Sequence, residues 1–380
     1  MTYLIWLQLA LGAGNIRAIK ALQYFKNAKN IYNADLKERI KSKVFTKNEL
    51  LKLQNTKLTE AEQIVKVCKD NGIDMIAYGT KGYPHCLSVI DNPPLVLYVK
   101  GDFPDFDNIP AISIVGPRKV SDFGKKAAFS LAFRLASSGI TVVSGGALGT
   151  DTYAHAGALK SGNRTALLMG CGILADYLKE NANLRNAVCE KGCLISEFPP
   201  HTPAGKHTFP IRNRLIAALS LATVVIEAGK KSGALITAKY AYEQGRDVFV
   251  IPGMPNKKEY EGSNALFRDG AKPLIDASDI FNEYIVRFPD KINIEKAYKN
   301  RILPDKKPDT EKKTKNSEKN LNETLSKEAK IVYNYLDKQK FFPDDISGTE
   351  LSPQQILSAL TELEMEFLIR ALPGGMYERC

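Results

Sequence analysis

The chain has 380 residues, 44% hydrophobic and 25% charged, a composition ordinary for a soluble protein and long enough for two or three domains. Lysine and arginine exceed aspartate and glutamate by 53 − 42 = 11, a surplus that favours a polyanionic partner. With no signal-type leader and no apolar run long enough to span a bilayer, the expectation is a cytoplasmic protein without a membrane partner. Of Cys68, Cys86, Cys171, Cys189, Cys193 and Cys380, only Cys189 and Cys193 lie close in sequence, and no histidine completes a zinc set. They read as reduced thiols, mostly buried.

Residues 1–65 read as a small, strongly basic helical domain. The tight Gly12-Ala-Gly14 turn leads into a helix with Ile16, Ile19 and Leu22 on one side. The pattern resembles a helix-hairpin-helix, whose turn amides can approach a nucleic-acid backbone, with Asn15, Arg17 and Lys20 beside them. A helical packing domain with a glycine turn fits the same residues. Residues 72–101 read as two strands joined by a turn-rich stretch, a lead-in to the main sheet.

The core is expected over 66–285. Apolar strands at 111–115, 141–143, 165–169, 194–197, 223–226 and 248–251 alternate with helices from Ser121, at 151–159, near 183–189, after Phe209 and at 232–243. Near-continuous apolar strands alternating with amphipathic helices imply a parallel sheet covered on both faces. The strands end repeatedly in glycine or small polar residues, and ligands of open α/β sheets bind at those carboxyl ends.

A linker is expected over 286–325. Residues 304–320 hold ten charged residues and nothing apolar beyond two prolines, too little to offset their ordering entropy. Residues 326–380 regain a pattern: a helix at 328–338, a turn at Ser347-Gly-Thr, a helix at 352–363, and a segment at 369–377 around Pro373-Gly-Gly. Helices with a small hairpin predict a winged helix. Its Asp344, Asp345, Glu350, Glu362, Glu364 and Glu366 favour a protein contact over a DNA contact.

The run Lys206-His-Thr-Phe-Pro-Ile-Arg-Asn-Arg-Leu-Ile-Ala-Ala-Leu219 organises the core. Pro210 suits a first helical turn, and Ile211, Leu215, Ile216 and Leu219 recur at helical spacing. The helix opening is thus ringed by Lys206, His207, Phe209, Arg212 and Arg214 over backbone amides, an arrangement that suits a phosphate. Phe209 offers a face on which an unpaired base can stack; the alternative is a core phenylalanine. Gly116 and Arg118 end the first strand, Ser144 to Thr150 the second, and Gly229 to Thr237 the fifth, so cations and hydroxyls line one sheet edge. Such loops can follow a chain of phosphates, and single strands fit better than duplex. Neither G-x-x-x-x-G-K-[ST] nor G-x-G-x-x-G occurs, so no nucleotide cofactor is expected.

Asp151 and His155 share a helix face, but a carboxylate at a helix start beside a buried histidine explains them more simply than catalysis. Glu197 and Glu227 each end a strand and are either acids or partners that orient Arg212 and Arg214. Two positions apart, those arginines point roughly 200° apart, so one contacts ligand while the other pairs with a carboxylate.

Taken in order, these segments resemble the DNA-processing protein A (DprA, also called Smf) family. The matching runs are S-I-V-G-P-R-K at 113–119 with Gly124, S-G-G-A-L-G-T-D-T-Y-A-H-A-G-A-L at 144–159 and S-E-F-P-P at 196–200. They continue with F-P-I-R-N-R-L-I-A-A-L-S at 209–220, E-A-G-K-K-S-G-A-L-I-T-A at 227–238, G-R-D-V-F-V-I-P-G at 245–253 and G-S-N-A-L-F-R-D-G-A at 262–271. The resemblance implies an α/β, extended Rossmann-like core without nucleotide chemistry, flanked by a SAM/helix-hairpin-helix-like domain and a winged helix. It implies a non-catalytic protein that binds and protects single-stranded DNA, helps load a RecA-type recombinase during natural transformation, and forms a homodimer. The family's basic pocket maps onto Arg118, Lys206 and Phe209. The DNA-binding set expected here is Gly116, Arg118, Lys119, Gly145, Gly146, Lys206, Phe209, Arg212, Asn213, Arg214, Ser232, Gly233 and Lys239. Pro117 stands where members usually have Ser or Thr, and Leu148 where a basic residue is frequent. The rival readings are a phosphoribohydrolase-like enzyme using Glu197 or Glu227, and an adaptor working through its terminal modules.

Overall fold

The computed structural model describes residues 1–299, 325–336, 340–346, 349–366, 368–372 and 376–379. Six helices open the chain: α1 (Thr2–Leu11), α2 (Arg17–Phe25), α3 (Ala28–Asn33), α4 (Leu36–Lys41), α5 (Lys47–Asn55) and α6 (Leu58–Asp70). Local chemistry explains their starts. Asn27, Asp35 and Thr46 each accept a backbone N–H of the following first turn, and Glu49 completes a capping box with Thr46. In α2, Ala18, Ala21 and Phe25 fall on one face and are buried, while Lys20 and Tyr24 face water. Trp6 and Leu7 of α1 are fully buried among these helices.

The chain then runs through β1 (Asp74–Ala77), α7 (His85–Ser88), β2 (Val96–Gly101), β3 (Ala111–Val115), α8 (Asp122–Ser137), β4 (Thr141–Gly145), α9 (Thr150–Lys160), β5 (Thr165–Leu168), α10 (Ala182–Lys191) and β6 (Cys193–Ser196). It continues with α11 (Thr208–Ala218), β7 (Ala222–Val225), α12 (Ala234–Glu243), β8 (Asp247–Val250), α13 (Glu261–Arg268), β9 (Lys272–Pro273), α14 (Ala277–Tyr284) and α15 (Ile294–Lys299). The strands form a nine-stranded sheet in the order β1-β2-β6-β5-β4-β3-β7-β8-β9. All its pairs are parallel except β1 with β2 and β2 with β6.

The chain leaves β3 toward β4 on one side and later returns to lay β7 on the other, pairing Val115 with Val225. Helices α8 and α9 pack together over β3 and β4, whereas α11 and α12 pack together over β4, β5, β7 and β8. Every residue of β3, β4, β5, β6 and β7 is buried, as a sheet covered on both faces requires. The sequence expectation of an extended Rossmann-like core is met.

Two expected boundaries fall elsewhere. The division at 65/66 lies inside α6, and residues 1–177 with Leu184 onward to 299 make one compact unit. The reason is shared burial: Trp6, Ile31 and Leu53 belong to the same apolar cluster as Tyr98 of β2 and Leu167 of β5. Residues 286–299, expected to belong to the tether, are packed instead. Ile292 and Ala297 are buried, the Asn293 N–H donates to the Ser138 carbonyl, and Arg134 of α8 lies 4.8 Å from the Tyr298 ring centroid. The charged stretch 304–320 lies outside the described residues.

A second unit contains α16 (Lys327–Tyr335), α17 (Pro353–Met365), and the antiparallel hairpin of β10 (Ile369–Ala371) and β11 (Tyr377–Arg379). Ala329, Val332, Leu360, Leu363 and Ile369 form its core. This is the expected winged-helix-like extension. Two of its acidic residues have local duties, since Glu362 accepts from the Ser326 N–H and hydroxyl and Asp345 accepts from the Phe342 N–H. The turn at Ser347-Gly348 and the Pro373-Gly-Gly run lie outside the described residues.

Among the described residues no helix is long and apolar enough to cross a membrane. Cys68, Cys171 and Cys193 are buried, and burial pushes the Cys68 and Cys171 thiols up to about 11. Cys380 lies outside the described residues.

Candidate functional site

A cleft of about 610 Å³ opens at the carboxyl ends of β3 and β7, where the two connections diverge. Its lining includes Gly116–Lys119 after β3, Ala147 and Asp151 after β4, Phe209, Arg212 and Asn213 on α11, and Gly229–Gly233 after β7. Four lining cations are exposed: Arg118, Lys119, Lys230 and Lys231. None of the four forms an ion pair among the described residues. Clustered at one mouth, they create a positive field that would draw an anionic strand toward the sheet edge.

The first loop is braced from below. Gly149 adopts φ +83°, and a Cβ there would fall 2.3 Å from the Arg118 carbonyl oxygen and 2.5 Å from that of Pro117. The Thr150 N–H donates to the Pro117 carbonyl at 3.2 Å. The Pro117 carbonyl thus anchors the loop to the start of α9, a backbone contact that does not depend on the side chain at 117. Leu148, also singled out in the sequence, is partly exposed beside it.

Phe209 is half-buried on the first turn of α11 and lines the cleft, with its ring 5.6 Å from that of Tyr177. Arg118 lies over the ring, 5.2 Å from guanidinium carbon to centroid. Gly170 makes room for the aromatic: a Cβ there would sit 2.6 Å from Phe209 Cδ1. The Thr208 hydroxyl donates to the Gly170 carbonyl and tethers the helix start at the same point.

The two arginines of the R-N-R run divide as helix geometry requires. Arg212 lies on the cleft floor, donating through Nη1 to the Leu168 carbonyl and through Nε to Asn213 Oδ1 at 3.1 Å. Burial pushes its guanidinium down and the neighbouring Asp151 carboxyl up, and each draws the other back toward its charged form. Arg214 points away and is 1% exposed, donating from Nη2 to Glu197 Oε2 at 2.5 Å. Its expected place in the DNA-binding set is corrected: a buried, paired guanidinium cannot reach a phosphate in the cleft.

The other members of the expected set divide between the cleft and its surroundings. Gly116, Lys119, Ser232 and Gly233 line the cleft, whereas Gly145 and Gly146 are buried beneath it. A Cβ on Gly145 would strike Asp151 and Arg212, so this glycine permits their close packing. Lys206 is exposed on the approach to α11 but does not line the cleft. Lys239 faces water on α12, 3.7 Å from Glu243. Lys230 and Lys231 were missed as individual residues although the G-K-K-S-G run drew attention; no pattern ranked them above Ser232 and Gly233.

The candidate acids have structural roles. Glu227 is 1% exposed and accepts from the Ser121 N–H at 3.1 Å, the Ser121 hydroxyl and the Tyr260 hydroxyl. Glu197 accepts from Arg214 and from the Gly14 N–H at 2.9 Å. His155 does not pair with Asp151; its Nε2 donates to the Gly145 carbonyl and its Nδ1 lies 2.8 Å from the Thr165 hydroxyl. The Gly12–Gly14 turn is likewise engaged: with its Gly14 amide on Glu197 and Arg17 paired to Glu49, it offers no free amide at Gly14 to a nucleic-acid backbone.

The sheet and its cleft define a Rossmann-like protein with a cation-rich, aromatic-bearing groove at the switch point. Residues 74–285 match the family model described as DNA recombination-mediator protein A, and the chain belongs to that family. It is 37% identical over 221 residues to the DNA processing protein DprA of Bacillus subtilis, covering 58% of this chain and 74% of that one. The crystal structure of DNA processing protein A from Streptococcus pneumoniae superposes with a TM-score of 0.65 at 28% identity, covering 74% of this chain and 98% of that one. Helicobacter pylori DNA processing protein A, whose structure addresses its single-stranded DNA binding mode, gives a TM-score of 0.52 at 28% identity over 57% of this chain and 96% of its own.

Proposed function

We propose that the chain is a single-stranded DNA-binding recombination mediator that holds the strand across the cleft between Arg118 and the Lys230–Lys231 loop without altering it. The observation that carries this reading is the gathering in one cleft of a half-buried aromatic and four exposed cations that form no ion pair among the described residues. Cations follow the backbone of a strand, and an aromatic face stacks on a base only when that base is unpaired. Family membership supports the further roles: shielding incoming strands, delivering them to a RecA-type recombinase during natural transformation, and working as a homodimer.

The nucleotide-cleaving reading has less support. Glu197 and Glu227, its candidate acids, are buried and bonded to structural donors, and neither lines the cleft. Fluorescence anisotropy with single- and double-stranded oligonucleotides tests the proposal. Preference for the single strand, with affinity lowered in Arg118→Ala, is the expected result; equal binding of duplex, or wild-type affinity in the variant, would overturn it.

A further inference from the structure

Helix α11 has two working faces, and the second is held by the amino-terminal helices. Its cleft face carries Phe209, Arg212 and Asn213, while Arg214 enters the opposite side and meets Glu197. The Glu197 carboxylate is shared. One oxygen takes Arg214 Nη2 and the other takes the Gly14 N–H from the turn between α1 and α2. The same turn packs on the helix: a Cβ on Gly14 would lie 3.2 Å from Ile211 Cγ2 and 3.5 Å from Arg214 Nε. Asn92 Nδ2 holds the Gly14 carbonyl at 3.1 Å. From α1, Gln8 Nε2 donates to the Glu197 backbone carbonyl at 3.0 Å and the Val96 carbonyl at 3.2 Å.

We infer that Glu197 is a positioning residue that couples the amino-terminal helical bundle to the DNA cleft through α11. This inference rests on the cleft reading above and adds that cleft affinity depends on how the bundle grips the back of the helix. The physical ground is the economy of contacts. Among the described residues Arg214 Nε and Nη1 have no hydrogen-bond partner and its Nη2 meets one carboxylate, which in turn accepts a bundle amide. A change in the turn must move Glu197, then Arg214, then the helix whose other face carries Phe209 and Arg212. Coupling of this kind is reciprocal, so an occupied cleft must also act on the bundle.

The protein carries its own reporter. Trp6 is its only tryptophan, lies two residues before Gln8 on α1, and is fully buried with its indole N–H on the Thr56 carbonyl. Titrating wild-type protein with an oligothymidine while recording anisotropy of the labelled strand and Trp6 emission is the primary test. The expected result is a change in Trp6 emission that saturates with binding. Binding with unchanged emission would overturn the coupling without any variant. Glu197→Gln keeps the size of the side chain and removes its charge; if it folds, strand affinity falls about tenfold with the salt dependence preserved, because no phosphate contact is removed. A folded Glu197→Gln with wild-type affinity and Trp6 response would overturn the role of Glu197; if it does not fold, the wild-type titration decides. Arg118→Ala separates the two readings. Unchanged affinity there means that the cleft assignment has failed, whereas loss in Arg118→Ala beside wild-type behaviour of Glu197→Gln overturns only the coupling.

Discussion

The Arg118 guanidinium covers the Phe209 ring at 5.2 Å, joining the loop after β3 to the first turn of α11 across the mouth of the cleft. Cation and ring can therefore act as one unit, gripping a phosphate and the base attached to it. Phe209→Ala is expected to weaken strand binding by about 1–3 kcal/mol. Arg118→Ala should lower the slope of log affinity against log salt by about 0.7, the loss of one single-strand phosphate contact. Combined, the two losses fall short of their sum, since each substitution already disables the pair. Full additivity in anisotropy titrations would separate their roles.

Lys230 and Lys231 provide a second test because they line the cleft from the loop after β7, whereas Arg118 lines it from the loop after β3. Replacing both by alanine should reduce the salt slope by about 1.4, twice the single-contact value. Lys239→Ala should leave the slope unchanged, because that side chain faces solvent next to Glu243 and does not line the cleft. Equal effects at the two places would move the strand away from the switch point.

Gly149 links fold to site. An alanine at φ +83° carries a backbone penalty on the order of 1–3 kcal/mol, and its methyl would also collide with the Pro117 and Arg118 carbonyls. Gly149→Ala is expected to lower the melting temperature and to weaken strand binding together, with the binding defect persisting well below the new melting point. Wild-type affinity in a folded variant would show that the first loop tolerates displacement.

His155 sets a pH limit on stability. Burial, with the charge of Arg212 adding to it, lowers the imidazole from 6.5 to about 4. The folded state therefore prefers the neutral ring. The associated stability is fully present above about pH 6.5 and is lost as pH falls toward 4, where the folded ring also takes up its proton. The total is roughly 3 kcal/mol. Denaturant midpoints measured across that window should fall as pH is lowered, and His155→Gln should remove this part of the slope while lowering stability at neutral pH.

Strands were legible because runs such as Ala-Ile-Ser-Ile-Val at 111–115 are apolar throughout, and their glycine-rich ends marked the ligand edge of the sheet. The opposed directions of Arg212 and Arg214 were also legible, from the helical repeat alone. Which arginine faced the cleft was not, because that depends on Glu197 arriving behind α11 from another strand. The Gly12–Gly14 turn kept two meanings in sequence, and only the packing of Gly14 on Ile211 and Arg214 decided between them. Residues 286–299 were read with the charged run that follows, although Ile292 and Ala297 bury themselves near α8. Composition averages over a window, whereas burial is decided residue by residue.

The placing of β3 between β4 and β7 has a practical outcome for anyone who cuts the protein. The cleft draws on both sides of that junction, with Arg118 before α8 and Lys230 after β7. Severed between β5 and β6, the polypeptide would yield two pieces that each retain charge but lack the opposing wall. Capture of a strand should then return only when the pieces are mixed and reassemble, which makes the molecule a natural subject for fragment complementation.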